Sequence, residues 1–134
     1  VQTEPDPQST YVPSAPQRRG GRPGPAALTL THDGGVYRMS DRVQTIVIGR
    51  DERCDLIVSS YFASRRHAMI EKRRDRFILT DESSNGTFVV PQQSAEIYLK
   101  RESLPLIGRG TISLGAAPGG EDAHTIAYAI GEAE

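Results

Sequence analysis

Three short segments, Gly49-Arg50, Ser64-Arg65-Arg66-His67 and Ser83-Ser84-Asn85-Gly86-Thr87, gather guanidinium groups, hydroxyls, a side-chain amide and turn-forming glycines. That is the chemistry of anion recognition, and of phosphate in particular. A dianionic phosphate on a peptide calls for a planar bidentate donor, a few neutral donors at fixed angles, and a shape that keeps other anions out. Arg50 suits the first role, because a guanidinium makes forked, charge-assisted bonds that an ammonium does not reproduce. Its plain alternative is a surface arginine paired with Asp51 or Glu52. Ser64 offers a hydroxyl just before the strand that opens at His67. Ser84 is a second hydroxyl, and Asn85 carries an amide that both donates and accepts, so it matches the N–H and C=O groups on either side of a phosphorylated residue. Gly86 permits the positive φ that turns this amide toward a groove, and Thr87 is read as a brace of the loop.

A catalytic reading has less behind it. Ser64 and His67 superficially suggest a nucleophile and its base, but that chemistry also needs an orienting acid and oxyanion donors, and His67 stands at a strand start, followed by Ala68, Met69 and Ile70. No carboxylate pair in a nucleotide-site context is present to hold a metal, so neither a metal nor a cofactor is expected. The expectation is a non-enzymatic module.

The segments that carry these residues lie at the ends of short runs of alternating apolar residues, where rigid scaffolds commonly carry their binding groups. Ala27–Leu30 and Val36–Met39 flank Asp33-Gly34-Gly35, a hairpin signal. Further strands are expected at Gln44–Ile48, Leu56–Val58, His67–Lys72, Arg76–Thr80, Thr87–Val90, Ile97–Lys100, Leu104–Ile107, Thr111–Leu114 and Thr125–Ala129. The Asn85-Gly86 pair, taken alone, reads as a hairpin turn between the sixth and seventh of these. No window of a dozen residues keeps a helical period, and no repeat of 20 to 50 residues is present. Eleven short strands with frequent turns predict an all-β fold, a sandwich of two antiparallel sheets.

The 134 residues allow one core. Nine prolines, no tryptophan and 37% hydrophobic residues suit short strands joined by turns. The net charge of −1 gives no reason to expect bulk binding to nucleic acid or to an anionic membrane, so electrostatic recognition has to be local. No stretch approaches the ~20 apolar residues of a membrane span. The lone Cys54 has no second thiol for a disulfide or a zinc pair, which points to a reduced, cytoplasmic setting; it is read as a small semi-buried filler. Residues 1–25 are rich in Pro, Gln, Ser, Thr, Gly and Arg, and read as a disordered tail or linker. Within them, Gln17 to Pro25 is a basic flexible tether rather than a nucleic-acid arm.

Taken together, the three segments resemble the signature of the forkhead-associated (FHA) domain, over roughly Ala26 to Ile130 of a domain bounded at 26–131. The resemblance implies a phosphothreonine-peptide-binding signalling module that recruits or regulates a larger protein. It implies phosphopeptide contacts from Arg50, Ser64, Arg65, Ser84 and Asn85, with Arg65 on phosphate or peptide backbone and Arg66 on the rim. Gly49, His67, Gly86 and Thr87 then support the site, His67 by hydrogen-bonding the two binding loops together. The alternative is a structural or oligomerising sandwich whose protein binding ignores phosphate. After Thr87 the chain departs from the usual pattern: the family's Gly-Asp place reads Gly110-Thr111-Ile112-Ser113-Leu114-Gly115, and the connection before it is longer. The piece Ile97 to Leu106, with Lys100-Arg101-Glu102 at its turn, looks like the form found at the C-termini of bacterial adenylate/guanylate cyclases, with the Pro-rich segment as the tether. Thr3, with Asp6 three residues on, and Thr10, with Pro13, are candidate intramolecular ligands once phosphorylated.

Overall fold

The computed structural model describes residues 26–118 and 124–132. The expected tail, including Thr3 and Thr10, lies outside them. Eleven strands follow in order: β1 (Ala26–His32), β2 (Gly35–Met39), β3 (Thr45–Gly49), β4 (Leu56–Ile57), β5 (Ala68–Arg73), β6 (Arg76–Asp81), β7 (Thr87–Pro91), β8 (Ile97–Leu99), β9 (Ser103–Leu106), β10 (Arg109–Leu114) and β11 (Thr125–Glu132). They form a six-stranded sheet in the order β2-β1-β11-β10-β7-β8 and a five-stranded sheet in the order β4-β3-β5-β6-β9. No helix among the described residues is long and apolar enough to cross a membrane.

Period-two alternation places one side chain in two toward the sheet interface. Ile46 and Ile48 of β3 and Phe77 and Leu79 of β6 are buried there from the five-stranded sheet, and Leu28 and Leu30 of β1, Ile112 and Leu114 of β10, and Ile126 and Tyr128 of β11 from the six-stranded one. Each fully buried Leu, Ile or Phe contributes about 1.5–3 kcal/mol. The sandwich is therefore a rigid platform for its loops.

Local turn chemistry appears where hairpins close. Asp33 and Gly34 take φ of 49° and 82° between β1 and β2, the two positive values that suit the twist of a two-residue hairpin. Arg74 holds φ of 60° between β5 and β6.

Two features differ from the sequence reading. The sheets are not antiparallel throughout: β3 and β4 pair in parallel, Ile48 opposite Leu56 and Gly49 opposite Ile57. The loop between them doubles back, and Asp55 Oδ2 accepts the Val47 N–H at 2.8 Å, substituting for a strand partner. The Asn85-Gly86 turn closes no hairpin, because β6 belongs to the five-stranded sheet and β7 to the six-stranded one. It is the crossover between sheets. An Asn-Gly pair reports a tight turn, while the destination of the outgoing strand is set by which partner it finds.

Candidate functional site

One end of the sandwich collects the β3–β4, β4–β5, β6–β7, β8–β9 and β10–β11 connections, and hydrogen bonds tie them into a single surface. The Arg50 N–H donates to the Ser64 carbonyl at 2.9 Å and the Asp51 N–H to the Arg65 carbonyl at 3.1 Å, extending the β3–β5 ladder past the ends of the strands. This pairing depends on Gly49. A Cβ there would collide with the Arg65 carbonyl and the His67 nitrogen, both backbone groups that cannot swing aside.

His67 is fully buried between the loops. Its Nδ1 accepts the Ser64 N–H at 2.9 Å, which leaves Nε2 to carry the proton and donate to the Gly86 carbonyl at 2.8 Å. The ring thus links the β4–β5 loop to the β6–β7 crossover. Both nitrogens are taken by backbone, so the ring is not a base for the Ser64 hydroxyl. Burial pushes its pKa below the ordinary histidine range, against smaller opposite effects of the Gly86 carbonyl and Asp81.

Below the crossover, the buried Asp81 carboxylate accepts the Thr87 hydroxyl at 2.6 Å, the Ser83 hydroxyl at 2.7 Å, the Arg101 N–H at 2.9 Å and the Ser83 N–H at 3.3 Å. Burial opposes its ionisation most strongly. The Arg101 N–H and the two hydroxyls together outweigh it, and the carboxyl stays below its ordinary range. Ser83 Oγ accepts the Gly86 N–H at 2.7 Å, closing the turn. Gly86 has φ of 89°, a conformation glycine adopts without steric cost.

The outward face carries the polar groups. Arg50, Arg65, Ser84 and Asn85 are exposed and Ser64 is half-buried. Arg50 and Arg65 line an open depression with Asp51, Glu52 and Arg53. Neither guanidinium forms an ion pair among the described residues. Asp51, the alternative partner for Arg50, is taken by Arg53 through bonds of 2.9 and 3.1 Å, and that side-chain bond is the main reason its carboxyl titrates at about 2. Arg66 turns away to Glu82 at 2.9 Å. The Ser84 N–H donates to Ser64 Oγ at 3.2 Å, and Asn85 Nδ2 donates to the Phe62 carbonyl at 3.0 Å. The second amide hydrogen and Oδ1 of Asn85 are then left for other partners. Cys54 Sγ donates to the Arg65 carbonyl at 3.1 Å, and burial pushes its pKa above the ordinary thiol range.

The loops converge through residues that local sequence does not mark. Phe62 contributes a backbone carbonyl, Tyr98 reaches the crossover from β8, and Arg101 donates to Ser83 and Asp81 from the β8–β9 turn. No motif signals them, since each acts across at least 13 positions of chain. Only Asp81, two residues before the Ser83 string, stands next to a recognisable segment.

One family model, the FHA domain, matches residues 46–104, which include all three segments. Solved structures share the fold. The Mycobacterium tuberculosis Rv1747 FHA-1 domain is 20% identical with a TM-score of 0.63, the match covering 81% of this chain and 100% of that one. The N-terminal FHA domain of S. cerevisiae Rad53p, solved with a phosphothreonine peptide, is 20% identical with a TM-score of 0.61, covering 78% and 94%. Mycobacterium tuberculosis EmbR, solved with a low-affinity phosphopeptide, is 24% identical with a TM-score of 0.58, covering 87% of this chain and 27% of that one. No curated protein matches the chain significantly. Residues 46–104 match the FHA family model, and the eleven-stranded sandwich that contains them has the fold of these solved FHA structures.

Proposed function

We propose that this chain is a non-catalytic signalling module that binds phosphothreonine-containing peptides through Arg50, Ser64, Arg65, Ser84 and Asn85. The observation that carries the reading is the juxtaposition of Arg50 and Arg65, without ion pairs among the described residues, beside the bonded pair Ser64 and Ser84. Arg50 forks two phosphate oxygens. The Ser64 Oγ already accepts the Ser84 N–H, so its own hydrogen donates to a third oxygen. Arg65 adds charge from the adjacent loop, and the remaining Asn85 amide groups take the peptide backbone. Gly49, His67, Gly86 and Thr87 hold these loops in place. Hydrogen bonds to charged groups contribute about 1.5–3 kcal/mol each, so three or four yield micromolar affinity, about −8 kcal/mol, once ordering costs are deducted.

The match to the FHA family model supports threonine over serine as the phosphorylated residue, a difference of one methyl worth roughly 1 kcal/mol. The wider setting belongs to the same proposal: a cytoplasmic protein in which the domain serves a larger partner or a fused catalytic region of the bacterial adenylate/guanylate cyclase type. The long β7–β9 connection is what supports that fusion. Phosphorylated Thr3 or Thr10 would act as a tethered ligand, favoured by high effective concentration.

The test is binding of a degenerate phosphothreonine library, beside its phosphoserine and unphosphorylated versions, to the wild-type chain and to Arg50→Ala. Phosphothreonine-dependent binding that disappears in the variant supports the reading. Binding indifferent to phosphate and to Arg50 replaces it with a structural or oligomerising sandwich. A phospho-Thr10 tail peptide that fails to displace a bound reference phosphopeptide removes the tethered-ligand element for that position.

A further inference from the structure

Strand β8 lies at the edge of the six-stranded sheet, paired to β7 alone. Phe88 stands opposite Tyr98 in that pairing, and their rings lie 4.8 Å apart at 49°. From this perch the Tyr98 side chain reaches back over the crossover. Its hydroxyl donates to the Asn85 carbonyl at 3.0 Å, and its ring fills the space that a side chain on Gly86 would need. Asn85 is meanwhile tied on its other side, through Nδ2, to the Phe62 carbonyl. The next carbonyl, that of Gly86, accepts both the His67 Nε2–H at 2.8 Å and the Gly115 N–H at 2.9 Å. In the Asn85-Gly86 peptide itself, the Gly86 N–H donates inward to Ser83 Oγ at 2.7 Å, and among the described residues the Tyr98 hydroxyl is the outer partner of the Asn85 carbonyl.

The turn after β8 acts on the same segment. The Arg101 N–H donates to Asp81, Arg101 Nε to the Ser83 carbonyl at 3.3 Å, and the Asp81 N–H to the Glu102 carbonyl at 2.9 Å. Arg101 holds φ of 58° to do so, a conformation disfavoured for a residue with a Cβ and persisting where surrounding bonds impose it. Tyr98 itself is 46% exposed. Water would satisfy its hydroxyl anywhere on that surface, so core burial does not dictate its aim at Asn85.

We propose that Tyr98 is a positioning residue for Asn85: the long β7–β9 connection serves as an arm that presses the crossover into its peptide-binding geometry. The proposal rests on the phosphopeptide reading above. With the Asn85 carbonyl pinned, the peptide unit does not rotate, and the free amide groups keep one direction before ligand arrives. A partner then loses less freedom on binding.

Tyr98→Phe tests this, because it keeps the ring over Gly86 and against Phe88 and removes only the hydroxyl. Affinity for the selected phosphothreonine peptide is expected to fall about threefold to tenfold, with little change in melting temperature. In the ligand-free protein, the side-chain amide signals of Asn85 should broaden or shift in nitrogen-proton NMR spectra. Tyr98→Leu, which also opens the space above Gly86, should weaken binding further. Wild-type affinity with unaltered Asn85 signals in Tyr98→Phe overturns the positioning role alone. A loss of affinity seen only where the domain begins to unfold also overturns it, leaving Tyr98 as packing. A wild-type domain that binds no phosphopeptide brings down the underlying reading and this role with it, whatever the Asn85 signals do.

Discussion

The backbone N–H of Ser84 lies 3.2 Å from the hydroxyl oxygen of Ser64 and donates to it. Ser64 stands between two strands of the five-stranded sheet, and Ser84 stands on the crossover to the other sheet. The bond therefore stitches together the two loops on which the proposed site depends. It also sets the polarity of the Ser64 hydroxyl, which has a lone pair occupied and a hydrogen left to donate outward.

Ser64→Ala should separate binding from stability. The Ser84 N–H is exposed and water replaces its lost acceptor, so the fold changes by less than about 1 kcal/mol. A phosphate oxygen loses its donor. Titration calorimetry is expected to show phosphopeptide affinity lower by about tenfold or more; affinity within twofold of wild type would remove Ser64 from the phosphate contacts.

Arg50→Lys distinguishes charge from geometry. Lysine keeps the positive charge and loses the planar fork, so affinity should fall about tenfold while the melting temperature stays put. Arg50→Ala should abolish measurable binding. Equal affinity for the lysine variant and the wild type would mean that Arg50 acts only as a point charge.

Gly49→Ala is expected to cost about 3 kcal/mol or more. The added methyl group meets the Arg65 carbonyl, and relieving that clash requires breaking the Arg50-to-Ser64 and Asp51-to-Arg65 hydrogen bonds. Chemical denaturation reads this directly. A variant as stable as wild type would show that the β3–β4 and β4–β5 loops separate freely.

Acid should destabilise the domain in two stages. Burial lowers the folded-state pKa of His67 relative to its value in the unfolded chain. The unfolded state then binds more protons as pH drops below about 6.5, and stability is lost on going down from there. Protonation would also set an Nδ1–H against the Ser64 N–H. Asp81, whose carboxyl is held below its ordinary range, adds stability that is present above about 3.9 and disappears as pH falls through its folded-state value. Denaturation midpoints measured from pH 8 to pH 3 should fall below pH 6.5, and the first stage should vanish in His67→Gln. A flat profile between pH 7.5 and pH 5 would contradict the buried neutral imidazole.

Strand positions were legible because short apolar, β-branched runs between turns are a local property: Ile46-Val47-Ile48 and Phe77-Ile78-Leu79 mark β3 and β6, and the pleat buries the outer two of each three. Tight turns were legible for the same reason, since Asp33-Gly34 needs only its own backbone preferences. The pairing of those strands was not. Whether the chain leaving Asn85-Gly86 joins β6 or crosses to β10 depends on partners up to 27 residues away, Leu114 opposite Thr87 among them. Likewise, residue types marked Arg50, Ser64, Ser84 and Asn85 as anion and amide chemistry, and the resemblance to the FHA signature added Arg65. Their meeting at one end of the sandwich, over His67 and Asp81 and under Tyr98, was decided by the tertiary structure, because hydrogen bonds across 13 to 20 positions leave no period in the sequence.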